Sequence, residues 1–147
     1  MTGWRLGYLS GPASVIKAAA ALQSQSTSNV CSFAQRGAIA AIEGSRDCVR
    51  EMAVSYDQRR TLLVEGLQAL PGITLVPPKG AFYAFPELPE ACGDSVSFCQ
   101  RALEQEGLAI VPGGAFGDDR CVRLSCAVSR ETITDGLSRL ARLLPAD

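Results

Sequence analysis

The chain has 147 residues, 47% of them apolar, with 14 basic and 15 acidic side chains and no histidine. That is enough for one real core with attached pieces, and a net charge of −1 argues against electrostatic binding of nucleic acid. No apolar run nears the roughly 20 residues that cross a bilayer, no basic-then-apolar leader is recognisable at Met1, and six cysteines without a Cys-x-x-Cys pair leave no zinc pattern.

In chain order, residues 4–9 read as a short strand halted by Ser10-Gly11-Pro12. A helix is predicted over 14–25, with Val15, Ala18, Ala19 and Leu22 forming its apolar stripe. The polar run 24–29 separates it from a second helix over 31–43, which ends before Gly44. Ser45 reads as the N-cap of a long helix, with Asp47 in its first turn and Pro71-Gly72 at its end. The wholly polar stretch Asp57–Arg60 leaves room there for a kink or a second contact surface.

The pattern then changes. Strands are predicted at 73–76, 81–85, 108–111 and 121–127. A helix opening at Asp94 or Ser95 carries Val96, Cys99, Ala102 and Leu103 on one side. Ser129 caps a last helix bearing Ile133, Leu137, Leu140 and Leu144. The order β-β-α-β-β-α implies an α+β fold, a sheet with helices on one face. The opening strand and helices read as parts of another unit, which places a boundary between 1–44 and 45–147, the long helix belonging to the latter.

Two arginines stand in positions that can carry chemistry. Arg5 lies between Gly3 and Gly7 beside Trp4, the single tryptophan. Its planar fork fits the oxygens of a phosphate, or it is simply solvated. In Cys121-Val122-Arg123-Leu124-Ser125-Cys126, strand alternation turns Val122, Leu124 and Cys126 to one face and Arg123 to the other. There Arg123 is either solvated or holds a carboxylate by two parallel hydrogen bonds. The two lysines, Lys17 and Lys79, read as ordinary solvated charges. The cysteines sit among apolar residues and read as reduced packing thiols of a cytoplasmic protein.

Five segments, in order, resemble class I aminotransferases, enzymes that use pyridoxal phosphate. They are Met1-Thr2-Gly3-Trp4-Arg5-Leu6-Gly7, the Gln23–Asn29 run, Gly80–Phe85, Val111-Pro112-Gly113-Gly114-Ala115-Phe116-Gly117 and Arg123-Leu124-Ser125. The Gln23–Asn29 run is similar to the aspartate aminotransferases found widely in bacteria. The resemblance implies the carboxyl-terminal small domain of such an enzyme in 45–147, with a strand and helices of the large domain in 1–44. It implies Arg5 on the cofactor phosphate, Arg123 on the substrate α-carboxylate, amino-acid and 2-oxo-acid substrates, and a homodimer in which 23–29 approaches the partner's active site. The 111–117 turn is read as mainly structural, and the aromatics of 80–85 as core or as cover over the substrate. In this family the lysine that forms the Schiff base precedes the Met-Thr-Gly-Trp-Arg segment, so the chain is expected to lack it and to be inactive alone. The alternative expectation is a non-catalytic remnant or an interaction module.

Overall fold

The computed structural model describes residues 1–145, and two compact units divide the chain, Met1–Cys48 and Val49–Asp147.

The first unit opens with a 3-10 turn at Thr2–Trp4, followed by the helices α1, Ala13–Ser26, and α2, Ser32–Glu43. The strand expected over residues 4–9 does not form. Trp4 ends the turn, Arg5 caps it in the left-handed region with φ 49 and ψ 49, and 6–12 carry no regular structure. An extended segment needs a neighbour for its N–H and C=O groups, and no strand lies among the described residues of this unit. Trp4 instead meets Phe33 of α2 edge-on, with ring centroids 6.2 Å apart. Ala34 is buried, whereas Tyr8, Leu9, Leu22, Phe33 and Ile42 all remain exposed. α1 buries none of its residues, so its apolar stripe finds no core within the unit.

The second unit is built on α3, Asp47–Gln68, whose first two residues close the first unit and which runs without interruption through the polar stretch Asp57–Arg60. Ser45 accepts a hydrogen bond from the Asp47 amide at 3.1 Å, as an N-terminal cap should. The carboxyl-terminal half of α3 buries Leu63, Val64 and Leu67. There follow β1 at Tyr83–Ala84, α4 at Ser95–Glu106, β2 at Val111–Pro112, β3 at Val122–Ser125 and α5 at Arg130–Leu143. The sheet is antiparallel with order β1-β3-β2, and β3 is central. Tyr83 faces Ser125 across one ladder and Val111 faces Arg123 across the other.

The α+β order anticipated from sequence is present, but its strands are shorter. Residues 73–76 contribute only a bridge between Thr74 and Glu87, which also bridges Cys121. Ala81, with φ 59, breaks the segment that leads into β1, and Pro86, which has no N–H to donate, follows it. The 108–111 strand is displaced to 111–112.

One apolar cluster joins these elements. Val122, Leu124 and Cys126 project from the sheet onto Leu67 of α3, Phe98 of α4, and Ile133 and Leu140 of α5. The buried face of α4 is Ser95, Phe98, Cys99 and Ala102. Val96 and Leu103, expected beside Cys99 and Ala102, are 58% and 57% exposed. The difference is Phe98: a large ring turned inward rotates the stripe, because its burial outweighs that of Val96. Asp94 caps α4 by accepting from the Ser97 amide at 2.9 Å, and Ser129 caps α5 by accepting from the Thr132 amide at 3.2 Å. The Ser97 hydrogen bonds hold the Asp94 carboxyl below its ordinary pKa.

Candidate functional site

The alternation along β3 sets the site. Val122 and Leu124 are buried on the core side, and Arg123 stands half-buried on the opposite face. Its guanidinium carbon lies 4.3 Å from the ring centroid of Tyr83 and 4.3 Å from that of Phe116. Among the described residues it makes no hydrogen bond or ion pair. Four other arginines of the unit behave differently: Arg60 is held by Asp57, Arg120 by Glu87 and Asp118, Arg139 by Asp135, and Arg142 by Glu106. Arg123 is therefore a fixed charge, half-withdrawn from water, whose N–H donors are uncommitted.

The rings around it belong to a larger patch. Tyr83 packs on Phe82 with centroids 4.4 Å apart, and Phe82 on Tyr56 of α3 at 6.1 Å. Arg59 lies 4.2 Å from the centre of the Tyr56 ring and donates to the carbonyls of Ser55 and Val128. Phe85 meets Phe116 edge-on at 6.2 Å.

Phe116 comes from the 3-10 turn Gly113–Phe116, and that turn is pinned. The Gly113 amide donates to Cys121 at 2.9 Å, and Asp118 donates back to the Gly113 carbonyl at 3.3 Å. Ser95 is fully buried at the start of α4. Its hydroxyl donates to Asp119 and accepts from the Gly114 amide. Gly117, with φ 96, closes the turn in a conformation that favours glycine. Beside it Arg120 holds the Asp118 carboxyl below its usual pKa.

The buried thiols are not poised as nucleophiles. Burial raises the pKa of Cys92, Cys121 and Cys126, and pushes that of Cys99 up to about 11.

Of the residues singled out from sequence, Arg123 lies in the second unit and Arg5 in the first. Arg5 is exposed, and its side chain makes no hydrogen bond or ion pair among the described residues. Lys17 and Lys79 are both exposed. The 111–117 turn, mainly structural by its sequence, also carries the phenylalanine that reaches Arg123. The available signal was a bulky ring on a glycine-rich turn, where packing in the sheet does not explain it.

Comparison with known proteins agrees with the architecture. The family described as "Aminotransferase class I and II" matches residues 1–140. The probable aspartate/prephenate aminotransferase of Aquifex aeolicus is 43% identical over 98% of this chain, and the aspartate aminotransferase of Bacillus subtilis is likewise 43% identical over 98%. A Thermus thermophilus aspartate aminotransferase variant complexed with tryptophan superposes with a TM-score of 0.89 at 42% identity, over 98% of this chain and 38% of its own. The Rhizobium meliloti aspartate aminotransferase gives 0.87 at 38% identity, over 97% of this chain. The chain spans about two fifths of the length of such relatives, 38% of the two curated ones. With sequence and fold in agreement over nearly its whole length, the chain belongs to the class I and II aminotransferases.

Proposed function

We propose that residues 1–147 form the carboxyl-terminal part of an aminotransferase that moves an amino group between an amino acid, aspartate foremost, and a 2-oxo acid. The observation that carries this reading is Arg123, half-buried against two rings with no acidic partner among the described residues. Such a guanidinium binds a carboxylate through two parallel charge-assisted hydrogen bonds. The names of the relatives, aspartate and aspartate/prephenate aminotransferase, favour an α-amino acid as the owner of that carboxylate.

The family implies pyridoxal phosphate, which supplies an electron sink when bound. The residues present fit its anionic end: Arg5 offers uncommitted donors on an exposed turn, between glycines whose Cα positions are open. On this reading Arg5 holds the phosphate and Arg123 holds the α-carboxylate. Lys17 and Lys79 have no assigned role, and the Schiff-base lysine is supplied by sequence other than residues 1–147. Two copies pair as a homodimer, with 23–29 directed to the partner.

A chimera tests the reading. Residues 1–147 replace the matching carboxyl-terminal part of the Bacillus subtilis enzyme, and oxaloacetate formation from aspartate and 2-oxoglutarate is followed. The expected result is turnover that Arg123→Ala lowers at least tenfold in kcat/KM, about 1.4 kcal/mol, since hydrogen bonds to charged groups contribute about 1.5–3 kcal/mol. Arg123→Lys should recover it only in part, because a point charge does not reproduce the fork. A folded, cofactor-loaded chimera that is inactive, or whose Arg123→Ala variant keeps full efficiency, overturns the proposal.

A further inference from the structure

We infer that Tyr83 and Phe116 are positioning residues: their rings hold the Arg123 guanidinium in place before a carboxylate arrives. This rests on reading Arg123 as the carboxylate holder. An arginine in that role carries an entropic cost. Its long side chain loses rotamer freedom on binding, and restraining it in advance removes that cost. An acidic neighbour would restrain it, as acids restrain Arg60, Arg120, Arg139 and Arg142 here. An acid, however, occupies the same N–H donors that a carboxylate ligand needs. An aromatic ring attracts the cation through its π face and leaves those donors open. Arg123 has this second arrangement twice over, with both ring centroids 4.3 Å from its guanidinium carbon.

The rings are themselves held. Tyr83 is fixed by its pairing in β1 and by Phe82 at 4.4 Å. Phe116 is braced by Phe85 at an interplanar angle of 85°, and its turn is tied to α4 through Ser95. Yet Tyr83 and Phe116 remain 38% and 49% exposed, so filling the core does not account for their positions. What they share is the arginine.

The 147-residue chain, labelled with 15N, tests this by the Nε–Hε signal of Arg123, assigned by its loss in Arg123→Lys. Succinate is the carboxylate probe. In the parent chain the signal should be displaced by ring currents and should move on addition of succinate. Phe116→Leu and Tyr83→Leu should each abolish part of the ring-current displacement and weaken succinate binding about fivefold, the equivalent of about 1 kcal/mol at 1.4 kcal/mol per decade. Tyr83→Phe keeps the ring and should keep the affinity. If a leucine variant does not fold, pentafluorophenylalanine at 116 retains the shape, reverses the ring quadrupole and should weaken binding in the same direction. Succinate that shifts Arg123 with unchanged affinity in all these variants overturns the positioning role and leaves the carboxylate reading standing. Succinate that leaves the Arg123 signal of the parent chain unmoved overturns the carboxylate reading and, with it, this inference.

Discussion

Gly113 donates its backbone N–H to the Cys121 carbonyl at 2.9 Å, and a Cβ at Gly113 would lie 2.2 Å from that same oxygen. A second carbonyl, that of Asp118, would stand 2.3 Å away. Both obstacles are backbone atoms, so no side chain can swing aside. The glycine is required here for space, and the turn that presents Phe116 depends on it.

Gly113→Ala should therefore destabilise the second unit by about 1–3 kcal/mol, the usual range for an overpacked buried site that forces the backbone to shift. Denaturant unfolding measures the loss. Because the turn moves, the ring-current displacement of the Arg123 signal should shrink as well. Gly117→Ala meets no atom within 4 Å, so the strain of its φ 96 is the cost to weigh. It should destabilise by about 1 kcal/mol, as non-glycine residues do in the left-handed region.

Leu124 and Arg123 are adjacent in sequence and should separate stability from binding. Leu124 is 9% exposed in the core, and Leu124→Ala should cost about 2–5 kcal/mol. Arg123→Ala removes contacts to two half-exposed rings and should cost about 1 kcal/mol or less. Carboxylate binding should follow the opposite order. Paired thermal melts and succinate titrations check both, and an arginine variant that melts as badly as the leucine one marks Arg123 as structural.

The six thiols should divide by access. Cys31 and Cys48 are exposed, while Cys92, Cys99, Cys121 and Cys126 are buried. Ellman's reagent at pH 8 should label two thiols quickly and the remaining four only on unfolding. The raised pKa values give a second signature. A buried thiol that stays protonated stabilises the fold fully below its unfolded pKa, near 9 for Cys99. That contribution is lost as pH rises towards about 11. Melting temperature should fall across this window, and Cys99→Ala should flatten the fall.

Acid should loosen the second unit through its depressed carboxyls. Hydrogen bonds from Ser97 lower Asp94, those from Arg120 lower Asp118, and those from Arg142 lower Glu106. A carboxyl lowered in the folded state contributes stability above its unfolded pKa, about 3.9 for Asp and 4.3 for Glu. That contribution disappears as pH falls through the lower folded value. Melts recorded from pH 6 downward should hold steady and then decline below about pH 4. Asp94→Asn keeps a capping side chain and should reduce the acid sensitivity more than it reduces stability at neutral pH.

The helices, their caps and the two faces of β3 were legible because each rests on local rules. Ser129 and Asp94 cap through their own side chains, and alternation separates Leu124 from Arg123 without reference to the rest of the fold. The strands were less legible, since a ladder depends on what lies opposite. Residues 4–9 have no strand beside them among the described residues, and 73–76 meet Glu87 at a single bridge. The rotated stripe of α4 follows from Phe98, whose ring found a place only the assembled core provides. The rings on Arg123 were least legible. Tyr83, Phe116 and Arg123 lie 33 and 7 residues apart along the chain, and the sheet register and a pinned turn bring them together.

The alternation of β3 also makes this strand its own proof-reader. Shifted by one residue against its neighbours, it would turn Leu124 to water and press the Arg123 charge into the apolar cluster. Burying an unpaired guanidinium costs several kcal/mol, so molecules paired in the wrong register are rejected at folding. Those that reach the native state have already placed the arginine on the face opposite the core, so the pairing of the sheet fixes where that charge stands.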